Sequence, residues 1–252
     1  EYVQTFAPDK IDQNFRSLYK TQPSVLVRRS GPIYALNESL RTHALPTTYD
    51  FEGETRNVRE LLERSQTTGL AILHDGVLIH EEYNRGNTRE SLAIQMSVSK
   101  SMASFLIGVA LEDGAIESVD DLVTKYVPDL IDTAYDGVTL KQVLEMSSGV
   151  RWSEDNGRLD SDLDQSVVAM RLGSLDEFTA SVPRENEPGT YNRYASIDTH
   201  VLGMVLRGAT GLLYKDYFEE KLWTRLGAED DAYLLVDTKD EPLVFGGVNI
   251  RL

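Results

Sequence analysis

The 252-residue sequence contains no cysteine, and this absence excludes several kinds of chemistry. Without thiols the chain has no disulfide framework, no thiolate zinc site and no cysteine nucleophile. Positive charge is also scarce, because 41 acidic residues outnumber 25 Lys and Arg and give a net charge of −16. Proteins that bind nucleic acids concentrate basic residues on one face, so the composition argues against nucleic acid as a partner.

Long apolar runs and metal-ligand spacings are missing as well. No apolar run approaches the roughly 18 residues of a membrane-spanning helix. The four histidines include no i, i+4 pair, so neither a metal nor another cofactor is predicted. The acidic residues between Glu154 and Asp164 are not accompanied by a glycine and a terminal glutamate at the positions that a calcium loop requires, so a solvated loop is the expected interpretation.

The patterns that are present predict an α+β fold organised as one catalytic unit. Residues 1–53 are interrupted by prolines and are predicted to form a mostly irregular N-terminal wrapping segment. Residues 54–115 and 200–252 combine strand and helix patterns, which predicts a mixed α/β subdomain. Residues 116–199 contain short helical patterns with capping-box signatures, such as Thr139-Leu-Lys-Gln142, and are predicted to form a helical subdomain.

Within the mixed subdomain a hairpin pattern precedes an apolar helix. Two β-prone runs, Leu70–Leu73 and Val77–His80, flank an Asp-Gly pair whose glycine tolerates the positive φ of a tight turn. Apolar residues then recur at helical spacing, namely Met102, Phe105, Leu106, Val109 and Ala110. Gly114 is a natural stop, so a long buried helix is predicted to begin near Ser97.

The predicted chemistry rests mainly on one pattern at the start of that helix, Ser97-Val98-Ser99-Lys100. Positions i and i+3 share a helix face, so the Lys100 amine can reach the Ser97 hydroxyl. A serine alcohol needs such a partner because it is a weak nucleophile by itself. Ser17-Leu18-Tyr19-Lys20 has the same form with no buried helix after it, so only the context of Ser97 favours catalysis there.

A second element follows Pro188-Gly189 and places Tyr194 shortly before another helical pattern. A tyrosine close to a lysine cation can relay a proton to a leaving group. Tyr191 is the local alternative for this role, and packing is the ordinary role of any single tyrosine.

Three ordered blocks of sequence carry a resemblance: Ser97-Val-Ser-Lys-Ser101, then Val143–Asp155, then Pro188-Gly-Thr190 with Tyr194–Gly203. Together they resemble the serine β-lactamase-related family, and within it the class-C-like esterases and the 6-aminohexanoate-dimer hydrolases. The resemblance runs from about Thr67 to Leu252. It implies a β-lactamase/transpeptidase-like fold, with an antiparallel sheet flanked by helices and a mostly helical subdomain.

The resemblance also implies roles for individual residues. Ser97 would be the acylated nucleophile, Lys100 its activating partner and Tyr194 the general base and acid. Auxiliary or substrate-binding positions are implied at Asn156 and Ser196. Trp152 is a further candidate because it neighbours the loop expected to border the cleft, although tryptophans are usually packing residues. The implied reaction is hydrolysis of a small ester or amide through an acyl-serine intermediate, with no metal and no cofactor.

The chain departs from the family pattern in three places. Ser196 stands where many members have asparagine, which argues against β-lactam turnover. Asn156 stands where nylon-oligomer hydrolases carry a tyrosine that contacts the leaving amine. No Lys-Thr-Gly or His-x-Gly strand follows Tyr194, and the match at His74-Asp-Gly76 is a coincidence within the hairpin. The resemblance implies that the Ser97 backbone N–H is one donor to the oxyanion. The C-terminal strands of the fold, and the second oxyanion donor with them, are therefore expected to be missing from this chain.

Several alternatives stay open. The enzyme alternatives are a D-Ala-D-Ala carboxypeptidase or penicillin-binding protein and a β-lactamase, and the alternative of another class is a catalytically silent binding protein or an inactive fragment. The expected partner is a small ester or amide, with no nucleic acid and no transmembrane segment. The exact substrate, the oligomeric state and the compartment are left open, with a lean toward export because family members are often exported.

Overall fold

The computed structural model describes residues 5–38, 44–155, 158 and 160–252. Within these residues helices combine with largely antiparallel strands, as the α+β prediction requires. The strands are β1 (Ser24–Val27), β2 (Asn37–Glu38), β3 (Thr48–Phe51), β4 (Glu54–Asn57), β5 (Gly69–His74), β6 (Val77–Tyr83), β7 (Ala93–Ile94), β8 (Ala232–Leu235) and β9 (Val248–Ile250). The α-helices are α1 (Ile11–Thr21), α2 (Val58–Arg64), α3 (Val98–Glu112), α4 (Leu140–Leu144), α5 (Asp162–Leu172), α6 (Leu175–Ser181), α7 (Ser196–Thr210), α8 (Tyr214–Phe218) and α9 (Thr224–Leu226).

The largest sheet brings together distant parts of the chain. Its strand order is β1-β8-β9-β7, and each neighbouring pair is antiparallel. At one edge Val27 pairs with Ala232, and both side chains are fully buried. At the other edge β9 pairs with β7, which ends only a few residues before Ser97. The sheet therefore anchors the segment that leads into α3.

The predicted hairpin is confirmed and joins β5 to β6. Asp75 and Gly76 form its two-residue turn with φ values of 49° and 75°, the combination that suits the right-handed twist of the strands. The two-residue strand β2 pairs in parallel with β6, so this three-stranded sheet is mixed rather than wholly antiparallel.

Helix α3 begins directly after Ser97, as predicted, and the predicted apolar stripe faces the core except at Phe105. The buried residues are Ser99, Ala103, Leu106, Ile107 and Ala110. Phe105, which the apolar spacing assigned to the core, is 55% exposed. Apolar residues occur around much of this helix, so spacing alone could not exclude Phe105 from the buried stripe. Gly114 follows the helix with a φ of 74°, in agreement with the predicted stop.

The first 53 residues contain regular structure that their proline content concealed. Helix α1 lies against β7 and β8, and β1 is an edge strand of the largest sheet. Pro8 and Pro23 lie just outside these two elements, where proline does not interrupt a hydrogen-bonded backbone. Part of the predicted wrapping segment is therefore integrated into the sheet.

Helix α7 is the central helix of the region that follows. All residues from Ser196 to Leu206 are buried, and the helix packs against α3, α4 and α6. The capping box predicted before α4 is present, since the Thr139 and Gln142 side chains each accept a hydrogen bond from the other residue's backbone N–H. Across the described ranges, no helix has the length and apolar character needed to cross a bilayer.

Candidate active site

Ser97 lies at the junction between the largest sheet and α3. The preceding residue, Met96, has a φ of 44°, a conformation that costs a non-glycine residue about 1–3 kcal/mol. Gln95 donates its backbone N–H to the Val248 carbonyl of β9 at 2.7 Å, which fixes the chain just before this strained residue. The Ser97 N–H makes no hydrogen bond within the described part of the chain, so it is available to a developing oxyanion.

The predicted contact between Ser97 and Lys100 is present. The Lys100 Nζ lies 2.9 Å from Ser97 Oγ and donates a second hydrogen bond of 2.9 Å to the Phe245 carbonyl. The same Nζ lies 5.1 Å from the centre of the Tyr194 ring and 5.5 Å from that of Phe245. The Phe245 carbonyl and the rings of Tyr194 and Phe245 thus hold the Lys100 amine beside the Ser97 hydroxyl.

Tyr194 lies in the loop before α7 with half of its side chain exposed. Main-chain contacts fix the loop on both sides of it: Arg193 N donates to Met146 O at 2.9 Å, and Ala195 N lies 3.5 Å from Met146 Sδ. The alternative residue, Tyr191, packs its ring against the Arg193 guanidinium at 5.4 Å. Tyr194 is therefore the tyrosine brought to the lysine.

Two cavities meet at Ser97 and Lys100. One has a volume of about 300 Å³ and is also lined by Tyr194 and Thr199. The other, of about 180 Å³, is lined largely by apolar side chains and includes Ser196 in its wall. A nucleophile between two such spaces can receive a carbonyl group with a substituent on either side.

The three candidate auxiliary residues lie in different environments. Ser196 is buried at the start of α7, and its backbone N–H donates to Glu154 Oε1 at 2.6 Å. Trp152 is only 4% exposed and packs edge-on against Phe178, so it belongs to the core and is not open to a substrate. Its Nε1 donates to Glu154 Oε1 at 2.7 Å, which links it to the site indirectly. Asn156 lies outside the described residues.

Two contributors were not predicted, Glu154 and the Phe245 carbonyl. The acidic run predicts a solvated position for Glu154, yet its carboxylate bonds to two N–H groups beside the site. A backbone carbonyl cannot be predicted from the type of its residue, but the Gly246-Gly247 pair that follows Phe245 indicates that the backbone is closely approached here. A Cβ at Gly247 would lie 2.7 Å from the Leu243 carbonyl oxygen, and a glycine in a strand region often marks such a close backbone approach.

Helix α7 also carries a buried carboxyl group four residues after Tyr194. Asp198 is fully buried, and its Oδ1 accepts hydrogen bonds from Tyr135 OH at 2.8 Å and Ser148 Oγ at 2.7 Å. Its Oδ2 has no partner among the described residues. Burial raises the pKa of Asp198 to about 7, although the hydrogen bonds from Tyr135 and from the side chain and backbone of Ser148 favour the charged form.

Comparison with known proteins finds a matching family model and curated relatives that are named as hydrolases. The family model described as Beta-lactamase matches residues 55–247. A 6-aminohexanoate-dimer hydrolase of Paenarthrobacter ureafaciens is 28% identical over 243 residues, which cover 93% of this chain and 60% of that protein. A candidate D-alanyl-D-alanine carboxypeptidase of Escherichia coli K12 is 25% identical over 164 residues, 63% of this chain and 37% of that protein. The chain thus spans 37% to 60% of the length of these curated relatives.

Solved structures give a matching result for the fold. A candidate 6-aminohexanoate-dimer hydrolase from Bacillus anthracis superposes with a TM-score of 0.86 at 19% identity, covering 96% of this chain and 66% of that one. A class C beta-lactamase superposes with a TM-score of 0.57 at 22% identity, covering 77% of this chain and 59% of that one. At these identities the superpositions show a shared fold.

Proposed function

The chain belongs to the beta-lactamase family and has its β-lactamase/transpeptidase-like fold, and from that premise we propose that it is a serine hydrolase acting on a small ester or amide. One observation carries the proposal. At the start of a buried helix, Ser97 Oγ lies 2.9 Å from Lys100 Nζ, with the Tyr194 ring 5.1 Å from the same nitrogen. A hydroxyl held on an amine, with a second proton carrier beside it, is the arrangement that activates a serine nucleophile.

In the proposed cycle, Ser97 Oγ attacks the substrate carbonyl carbon and passes its proton to the Lys100–Tyr194 pair. The Ser97 N–H donates to the carbonyl oxygen as negative charge develops there. The C–O or C–N bond then breaks, and the proton passes through Tyr194 to the departing alcohol or amine. Water attacks the acyl carbon and gives its proton to the same pair, which returns a proton to Ser97 as the acid leaves.

Three observations bear on the substrate. The cavity shared by Ser97 and Tyr194, at about 300 Å³, lies at the lower end of the usual size of a ligand pocket and supports a small molecule. The relative named as a 6-aminohexanoate-dimer hydrolase supports a linear amide, and the relative named as a carboxypeptidase supports a peptide ending in D-alanine. Ser196, where many family members have asparagine, argues against a β-lactam.

The proposal is tested by covalent labelling. The protein is incubated with a fluorophosphonate probe and separately with p-nitrophenyl esters, and the labelled peptide is identified by mass spectrometry. Label is expected on the peptide containing Ser97, and Ser97→Ala and Lys100→Ala are expected to lose labelling and turnover. Ser17→Ala is the matched control, because Ser17 heads the other Ser-x-x-Lys pattern and its Oγ bonds to the Gln13 carbonyl.

The outcomes separate the alternatives. Label that persists in Ser97→Ala would refute the nucleophile assignment. An unlabelled and inactive wild-type protein would favour a catalytically silent binding protein. Comparing turnover of a short-chain ester, a linear amide, a D-Ala-D-Ala peptide and a chromogenic cephalosporin then distinguishes an esterase or amidase from a carboxypeptidase and from a β-lactamase.

A further inference from the structure

The Glu154 carboxylate joins two segments that border the site. Its Oε1 accepts hydrogen bonds from Trp152 Nε1 at 2.7 Å and from Ser196 N at 2.6 Å. Hydrogen bonds to an ionised acceptor are roughly twice as strong as those between neutral groups. Glu154 therefore ties the loop that contains it, through the buried Trp152 on one side, to the first residue of α7 on the other.

Helix α7 has no side-chain cap of its own. Its N-cap residue is Ala195, which has no hydrogen-bonding side chain, and the first N–H groups of a helix need acceptors from outside the helix. Glu154 supplies an acceptor from 42 residues away, and its negative charge lies at the positive end of the helix dipole. The start of this buried helix is thus fixed by a side chain from another segment.

The position of Tyr194 depends on this arrangement. Its side chain is half exposed, so packing around the ring contributes less than it would in the core. The backbone around it is fixed by Arg193 N on Met146 O, by Ala195 N on Met146 Sδ and by Ser196 N on Glu154. The contact to sulfur is weak, because a thioether is a poor acceptor. On the C-terminal side of Tyr194, the Glu154 bond is therefore the restraint from a charged side chain, and it adds to the helical bond of Asp198 N to the Ala195 carbonyl at 3.0 Å.

We propose that Glu154 is a positioning residue that holds Tyr194, together with Ser196, against the Ser97–Lys100 pair. This inference rests on the proposed hydrolase function, in which Tyr194 carries the proton. Glu154 borders the same cavity as Ser97, Lys100 and Ser196. Its Oε1 accepts from two N–H groups of the protein itself, so it acts as an acceptor that fixes structure.

Two substitutions separate the acceptor from the charge. Glu154→Ala removes both bonds and is expected to lower kcat on the order of 10²-fold with little change in KM, because a displacement of about 1 Å at a reacting group has such a cost. Glu154→Gln keeps an amide oxygen that can accept both N–H groups and is expected to recover most of kcat. The pH profile of kcat/KM is expected to keep its wild-type limbs in Glu154→Gln. Equal loss in both variants, or loss of a limb in Glu154→Gln, would overturn the positioning role.

Asp162 provides the matched control. It fastens the same loop at another point, since its Oδ2 accepts from Ser153 N at 3.0 Å and from Ser153 Oγ at 3.3 Å. It lies at the start of α5 and makes no described hydrogen bond to Ser196. Asp162→Ala is expected to lower Tm as Glu154→Ala does while leaving kcat close to the wild-type value. If Asp162→Ala lowers kcat as much as Glu154→Ala, general loosening of the loop explains the result and the inference fails.

Hydrogen exchange gives a readout that does not require turnover. Amide exchange in the peptide spanning residues 194–196 is expected to accelerate in Glu154→Ala and to stay near the wild-type rate in Glu154→Gln. If the wild-type protein fails to label at Ser97, the proposed function falls, and the exchange result alone decides whether Glu154 fixes this segment. If the wild type is active and Glu154→Ala keeps its kcat, the function stands and the inference is overturned.

Discussion

One buried carboxyl group on α7 is expected to make the stability of this protein depend on pH. Asp198 is fully buried, and burial raises its pKa to about 7 from the ordinary value of 3.8. Between these two values the folded protein keeps a proton that the unfolded chain has lost. The contribution to stability is therefore fully present below pH 3.8 and is lost as the pH rises through 7.

The size of this contribution follows from the two pKa values of Asp198. At about 1.36 kcal/mol per pKa unit, the interval from 3.8 to 7 corresponds to about 4 kcal/mol of unfolding free energy. More than half of this loss falls between pH 5 and pH 8, which corresponds to roughly 2–3 kcal/mol. A change of that size is readily measured by urea denaturation.

Asp198→Asn is the substitution that tests this reasoning. Asparagine keeps a side-chain oxygen for the Tyr135 and Ser148 hydroxyl groups but has no proton to lose. Unfolding free energies of the wild type and the variant are measured in urea at pH 5, 6, 7 and 8. The wild-type value minus the variant value is expected to fall by roughly 2–3 kcal/mol across this range, because titration at distant sites cancels in the difference.

The control is Ser148→Ala, which removes one donor to Asp198 and leaves the carboxyl group in place. It is expected to be less stable than the wild type and to retain the loss of stability between pH 5 and pH 8. Wild-type and Asp198→Asn curves that stay parallel across that range would show that Asp198 does not hold its proton on folding, and would refute the reasoning.

Three further predictions concern packing, backbone conformation and catalysis. Leu106→Ala is expected to lower the unfolding free energy by about 2–5 kcal/mol, because Leu106 is fully buried on α3, whereas Phe105→Ala on the exposed face has a small effect in the same urea assay. Gly149→Ala is expected to lower Tm far more than Gly114→Ala: both glycines have positive φ, but only a Cβ at Gly149 would overlap a backbone carbonyl. Tyr194→Phe is expected to lower kcat on p-nitrophenyl esters by about 10²–10⁴-fold and to leave the unfolding free energy near the wild-type value.

Each of these predictions has an outcome that contradicts it. Equal destabilisation by Leu106→Ala and Phe105→Ala would mean that the buried face of α3 is assigned incorrectly. Similar Tm values for the two glycine variants would show that the backbone does not approach Gly149 as closely as the structure indicates. Wild-type turnover in Tyr194→Phe would assign the proton transfer to another group.

The parts of the site that the sequence predicted are those set by short-range geometry. Ser97 and Lys100 are three residues apart on a helix, so their contact follows once the helix is predicted. The hairpin at Asp75-Gly76 follows in the same way, because a two-residue turn requires positive φ and this pair tolerates it. Both predictions concern residues that interact within one turn of helix or one tight turn of chain.

The parts that the sequence did not predict depend on tertiary contacts. At α3 the predicted stripe is wrong only at Phe105, because the helices and strands around this helix decide which of its apolar residues are buried. Helix α1 and β1 are concealed in the sequence because proline usually breaks regular structure, although Pro8 and Pro23 only flank these elements.

The least predictable contacts at the site are made by groups whose partners are main-chain atoms. Any residue could supply the carbonyl that Phe245 offers to Lys100, and what places it there is the chain segment before β9, 145 residues away in sequence. Glu154 has the same residue type as the acidic residues near it in sequence. It differs from them because it accepts the Ser196 N–H at the uncapped start of α7, which has no acceptor within its own helix. A backbone donor without an acceptor in its own helix therefore defines where a distant side chain has to be placed. Here the Ser196 N–H defines the place of the Glu154 carboxylate, 42 residues earlier in the sequence, and with it the position of the neighbouring Tyr194.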